Sequence, residues 1–188
     1  MNTRYLWWWS FWIGLVSGLF CCIYALFPII QQNIIWMSFV ALPIFFGTSG
    51  AALKEFPSYV LCIICGVLWA VLMLFCMGKL ALLGISGPLQ MLIVVGFLTF
   101  ICVGLHMVTL GNTLLNKVPM IFGGLAMTFA MSGLKGLAFN NLFNLFITMV
   151  GGLLMGIAIS SGGKLMQKMK YFSNETPASE AEQVEAGK

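Results

Sequence analysis

The sequence predicts an all-α membrane protein, with six transmembrane helices set as an inverted three-plus-three repeat. Three observations predict it. Charge is scarce, apolar runs of about span length recur along the chain, and the later runs echo the earlier ones.

Of 188 residues, 61% are hydrophobic and 7% charged, and the mean hydropathy is +1.02. A soluble domain carries about 25% charged residues. This chain lacks the polar surface to face water, so the lipid bilayer is its expected partner. The runs are continuous, unlike the alternating segments of a transmembrane barrel. The net charge of +4 comes mostly from scattered lysines and does not suggest nucleic acid.

The runs are Leu6–Ile30, Ile34–Leu53, Ser58–Met77, Leu89–Leu110, Val118–Leu134 and Leu142–Ser160. A span needs about 20 residues at ~1.5 Å each. The first run is too long for a cleaved signal segment and reads as a retained span, with Trp7, Trp8 and Trp9 at the interface. The fifth is short and is expected to begin earlier, near Leu114, with Lys117 reaching back to the headgroups. The sixth is expected to stop at Ser160-Ser161-Gly162-Gly163, and residues 166–188 to form a disordered cytoplasmic tail. With six spans, Arg4, Lys54, Lys117, Lys164, Lys168 and Lys170 fall on one side, and Lys79 and Lys135 on the other. That bias places both termini in the cytoplasm.

The repeat aligns Ser49-Gly50 with Ser132-Gly133, 83 residues later, and with them Phe46 with Phe129. In the flanking runs the offset is 86, pairing Gly66 with Gly152, Ala70 with Gly156 and Gly18 with Gly104. The units are residues 1–84 and 85–165. An odd number of spans per unit makes the two copies opposite in orientation.

The stretches WMSFVALPIFFGTSG and GVLWA, and later KVPMIFGGLAMTFA and GLKG, carry a resemblance to a known group. Over roughly residues 10 to 165 the chain resembles the small bacterial inner-membrane proteins grouped as domain of unknown function 1097. The resemblance implies a multi-pass protein of the bacterial inner membrane. It implies no catalytic residue, because that family has no settled activity.

Little in the residues suggests chemistry. No Asp is present, and Glu55 is the one acid outside the tail. It reads as a solvated turn charge beside Lys54, or as a gating acid. Cys62 and Cys65 form a CxxC inside an apolar run, with no neighbouring ligands of the kind zinc requires, and read as packing residues. No metal, cofactor or enzymatic role is expected. His106, the single histidine, reads as a structural partner or as a lining residue.

Gly14, Gly18, Gly66, Ala70, Gly152 and Gly156 are expected at close helix contacts. Thr48, Ser49, Gly50, Thr128, Ser132 and Gly133 suit either close packing or helix breaks that expose backbone groups to a solute, with Phe46 and Phe129 narrowing the path. The leading functional expectation is a channel or facilitator for a small uncharged or weakly polar solute. The alternative is a non-transporting accessory or structural protein. Homo-oligomerisation is left open.

Overall fold

In the computed structural model, described for residues 3–27 and 32–169, the chain forms α-helices joined by short turns. They are α1 (Thr3–Ala25), α2 (Ser38–Ser49, led in by a 3₁₀ segment, Gln32–Met37), α3 (Phe56–Leu82), α4 (Pro88–Thr109), α5 (Val118–Leu134) and α6 (Phe139–Lys168). By length and composition, 4 of these can cross a membrane: α1, α3 with its leading turn, α4 and α6. The expected tail begins within α6 at residue 166, and from residue 170 onward it lies outside the described residues.

Local sequence sets the boundaries. Pro57, Pro88 and Pro119 each sit in a first helical turn, where the missing N–H costs nothing. Pro43 lies inside α2, one reason that helix is only 12 residues long, about 18 Å at ~1.5 Å per residue. Two expected boundaries are corrected. α5 starts at Val118 and not near Leu114, because the carbonyls of Leu114 and Leu115 are taken by side chains of α3 and α4. α6 does not stop at Ser160–Gly163 but continues to Lys168. Gly162 and Gly163 instead give room to the Trp12 and Trp9 indoles, whose Nε1 atoms would stand 2.1 Å and 2.8 Å from added β-carbons.

Contacts give the helix directions. Tyr5 meets Gln167 at 3.0 Å and Tyr24 meets Thr148 at 2.6 Å, so α1 and α6 are antiparallel. Ser38 lies against Gly152 and Gly50 accepts from Ser160, so α2 runs parallel to α6. Trp69 bonds His106 and Gln90 bonds Met77, so α3 and α4 are antiparallel. Ser58 reaches Leu114 while Gly66 lies against Ile121 and Gly124, so α3 and α5 are parallel.

The core where these helices meet is dry. Met37, Phe45, Tyr59, Ile63, Met120, Ile121, Met131, Met149 and Leu153 are fully buried. Outward faces carry exposed Trp7, Phe11, Leu15, Leu82, Phe97, Phe100 and Phe139, an arrangement suited to lipid and not to water.

The packing glycines divide. Gly66, Gly152 and Gly156 are buried at close contacts, and Ala70 is buried with them. Gly14 and Gly18 are exposed with open space around them, so the expectation that they pack within the chain is corrected. The surfaces of α1 that meet α6 carry Tyr5, Trp9, Trp12 and Phe20 instead, large residues that fill the seam.

Candidate functional site: the α2 break and the cleft beside it

α2 ends in a left-handed turn. Gly50 (φ 61°) and Ala51 (φ 51°) both lie in the αL region. Glycine adopts it freely, but alanine pays about 1–2 kcal/mol. The Ala51 methyl is buried beside Gly156, and that contact offsets part of the strain. The Gly50 N–H returns to Phe46 O at 2.8 Å, and Ser160 Oγ donates to Gly50 O at 2.8 Å. The break therefore presents a backbone carbonyl to α6.

The hydroxyls around the break are used within the protein. Ser49 Oγ donates to Phe45 O at 2.9 Å. Thr48 Oγ1 bonds Ile44 O at 2.5 Å and also pairs with the buried Tyr59 hydroxyl. The stretch around Ser132 differs. Thr128 Oγ1 donates to Gly124 O at 2.8 Å, and Ser132 Oγ to Phe129 O at 2.9 Å. Ser132 and Gly133 lie inside α5, which ends at Leu134 and turns at Gly136 (φ 79°). Of the two readings of Ser132-Gly133, packing or a break, the structure shows no break there: the left-handed turn after α5 falls three residues beyond Gly133.

A cleft of about 240 Å³ opens beside the first break, lined by Tyr5, Trp9, Phe46, Gly50, Ser160, Gly163, Lys164 and Gln167. It takes Phe46 and Gly50 from the predicted path; Thr48, Ser49, Thr128, Phe129, Ser132, Gly133 and His106 are not in its lining. Gln167 Nε2 donates to Tyr5 Oη at 3.0 Å. Trp9 packs on Tyr5 and Phe46, with ring centroids 6.1 Å and 5.9 Å away, while its buried Nε1–H has no acceptor among the described residues.

His106 is a structural partner and not a lining residue. It is buried, its Nδ1 donates to Leu115 O at 2.7 Å, and its Nε2 accepts from Trp69 Nε1 at 3.2 Å. A carbonyl only accepts and an indole N–H only donates, so these partners fix the neutral Nδ1–H tautomer. Both nitrogens are occupied. His106 sits in a π-helical turn, Leu105–Thr109, which pins α4 to α3 and to the following loop.

Glu55 also departs from expectation. Its partner is Lys117 at 2.9 Å, across two connections, and not its neighbour Lys54. Lys117 Nζ lies 5.9 Å from the Tyr59 ring centroid. The carboxylate bond from Glu55 raises the Lys117 pKa above its ordinary value. Nearby, Ser58 Oγ and Cys62 Sγ both reach Leu114 O, at 2.5 Å and 3.6 Å, so the first cysteine of the CxxC serves as a weak donor.

The cleft was not legible in the sequence, because it joins the two ends of the chain. Its signals were an interfacial Tyr-Trp pair four residues apart on α1 and a Lys-Gln pair three apart on α6.

The family model described as "Protein of unknown function (DUF1097)" covers residues 11–164. No curated protein and no solved structure matches the chain.

Proposed function

The chain belongs to the DUF1097 family, and on that premise we propose that it is a six-span, non-enzymatic facilitator for a small uncharged or weakly polar solute, built as two inverted copies, residues 1–84 and 85–165. One observation carries the reading. Gly66 lies against Ile121 as Gly152 lies against Ser38, and the partners are offset by 86 and 83 residues, the offsets of the sequence repeat. Paired inverted units that meet at mid-membrane are a common transporter plan.

The route runs between the short helices α2 and α5. They approach where Ile44 reaches Gly123, beside Met120 and Met149. In this conformation the seam is closed by unbranched methionines, which can change rotamer at low cost. The scarcity of acidic residues in the spans, where Glu55 stands only in the leading turn of α3, favours an uncharged solute over ion-coupled pumping. The helix directions and the lysine bias support both termini in the cytoplasm of a bacterial inner membrane.

A second reading, an accessory or structural protein, is favoured by a specific observation. The hydroxyls of Thr48, Ser49, Thr128 and Ser132 all return to carbonyls of their own helices. Proteoliposome swelling separates the two. Purified protein should speed entry of small neutral solutes over empty vesicles, and Gly123→Ala, whose added methyl crowds only the end of the Ile44 side chain, should narrow the α2–α5 seam and reduce the gain, with melting followed in parallel. Rates equal to empty vesicles for every solute and anion tried would leave the structural reading.

A further inference from the structure

We propose that the cleft between α1, α2 and α6 binds the phosphate of an anionic phospholipid headgroup. The inference does not depend on solute transport.

Depth is the first argument. Tyr5 and Trp9 lie in the first two turns of α1, Gly50 caps the end of α2, and Lys164 and Gln167 lie in the last turns of α6. A cleft built from three helix ends sits at the membrane interface, where headgroup phosphates are found. The neighbouring Trp7 and Trp8 are exposed, as belt residues at that level are.

The donor set is the second. The lining holds the Lys164 ammonium and the Gln167 amide, with no carboxylate. Trp9 contributes a buried N–H with no acceptor among the described residues, and such a group is costly unless a ligand satisfies it. Gly163 lacks the β-carbon that would crowd that nitrogen. Two acceptors of the lining are already used, Gly50 O by the Ser160 hydroxyl and Tyr5 Oη by the Gln167 amide. The Lys164 ammonium, the second Gln167 amide hydrogen and the Trp9 N–H just beneath the cleft wall fit an oxyanion better than a cation. Shape is the third argument: the Trp9 and Phe46 rings give the cleft apolar walls beside its polar groups, matching a lipid whose phosphate adjoins glycerol and acyl chains.

The test uses the purified full chain in detergent. Thermal unfolding is followed with added dioleoylphosphatidylglycerol, dioleoylphosphatidylcholine, glycerol 3-phosphate or inorganic phosphate. Phosphatidylglycerol should stabilise the protein in a saturable way and phosphatidylcholine should do much less. Lys164→Gln and Trp9→Phe should each weaken the apparent affinity by roughly tenfold, the scale of one lost charge-assisted hydrogen bond. Lys168→Gln removes the same charge from α6 outside the lining and should leave affinity within about twofold. Equal response to the two lipids, or equal losses in Lys164→Gln and Lys168→Gln, would overturn the site in favour of general surface attraction. Saturation by inorganic phosphate or glycerol 3-phosphate as strong as that by the lipid would overturn the lipid source and assign a soluble phosphate.

Discussion

Gly152 of α6 lies against the Ser38 carbonyl of α2 so closely that a β-carbon would stand 2.1 Å from the oxygen. Gly66 of α3 holds the same relation to Ile121 of α5, at 2.2 Å. Both obstacles are backbone atoms inside helices, which cannot swing aside as a side chain can.

Gly152→Ala and Gly66→Ala should therefore each push a parallel helix pair apart. Overpacking a filled core costs about 1–3 kcal/mol, and leucine at either site should cost more. Gly14→Leu and Gly18→Leu face open space and should unfold like the unaltered protein. Detergent-solubilised folded fraction and melting temperature measure all of these. Unaltered melting in Gly152→Leu would show that α2 and α6 are not held at this distance.

The Lys117–Glu55 bond ties the α2–α3 turn to the α4–α5 connection. Lys117 is raised above its ordinary 10.5 by its hydrogen bond to Glu55. A lysine raised in the folded state contributes stability that is complete at neutral pH and is lost as pH climbs through its folded pKa. The melting temperature of Lys117→Met should thus fall below that of the unaltered protein near neutral pH, with the gap closing as pH climbs past lysine's ordinary 10.5. A gap that stays constant across this range would mean that the ion pair contributes nothing. The double exchange Glu55→Lys with Lys117→Glu should recover part of the loss.

His106→Ala leaves the Leu115 carbonyl and the Trp69 N–H without their partner, at a cost of roughly 1–3 kcal/mol for each buried group left unpaired. Adding Trp69→Phe removes one of the stranded groups. The double variant should lose less than the sum of the two single losses, and a double-mutant cycle on melting reads the difference. Strict additivity would show that the two side chains do not interact.

Four of the six expected spans were legible because apolar run length follows from bilayer thickness, while the runs at Ile34–Ser49 and Val118–Leu134 form shorter apolar helices. Close helix contact was legible at Gly66 and Gly152, since only a missing side chain permits that approach, whereas the likeness between the two Ser-Gly stretches was a weaker guide. It misled at Ser132-Gly133, where the motif is copied but the helix runs on to Leu134. Helix ends depend on tertiary partners as well as on local residues, and glycine at Gly162 and Gly163 answered to two indoles instead of to a turn. The small residues at Gly14 and Gly18 look alike in sequence whether they meet a helix or the outside. The cleft needed knowledge that residues 5 and 167 meet, which no local pattern supplies.

Topology gives the last prediction. The Tyr5–Gln167 bond puts the start of α1 and the end of α6 at one face, so the number of crossings between them is even. The Ser160–Gly50 bond, a little over one turn before Lys164, brings the end of α2 towards that face, and Ser58–Leu114 ties the start of α3 to the connection after α4. If α2 and α5 both cross, Leu53 and Asn112 lie on the cytoplasmic side while Leu83 and Leu137 lie outside. Single cysteines at these four exposed positions, in a background with the native cysteines replaced, can be treated with a membrane-impermeant thiol reagent on intact cells. Leu83→Cys and Leu137→Cys should label directly, and Leu53→Cys and Asn112→Cys only after permeabilisation. Direct labelling of Leu53→Cys with protection of Leu83→Cys would reverse the orientation. Labelling of Leu83→Cys and Asn112→Cys from the same side would show that α4 does not cross.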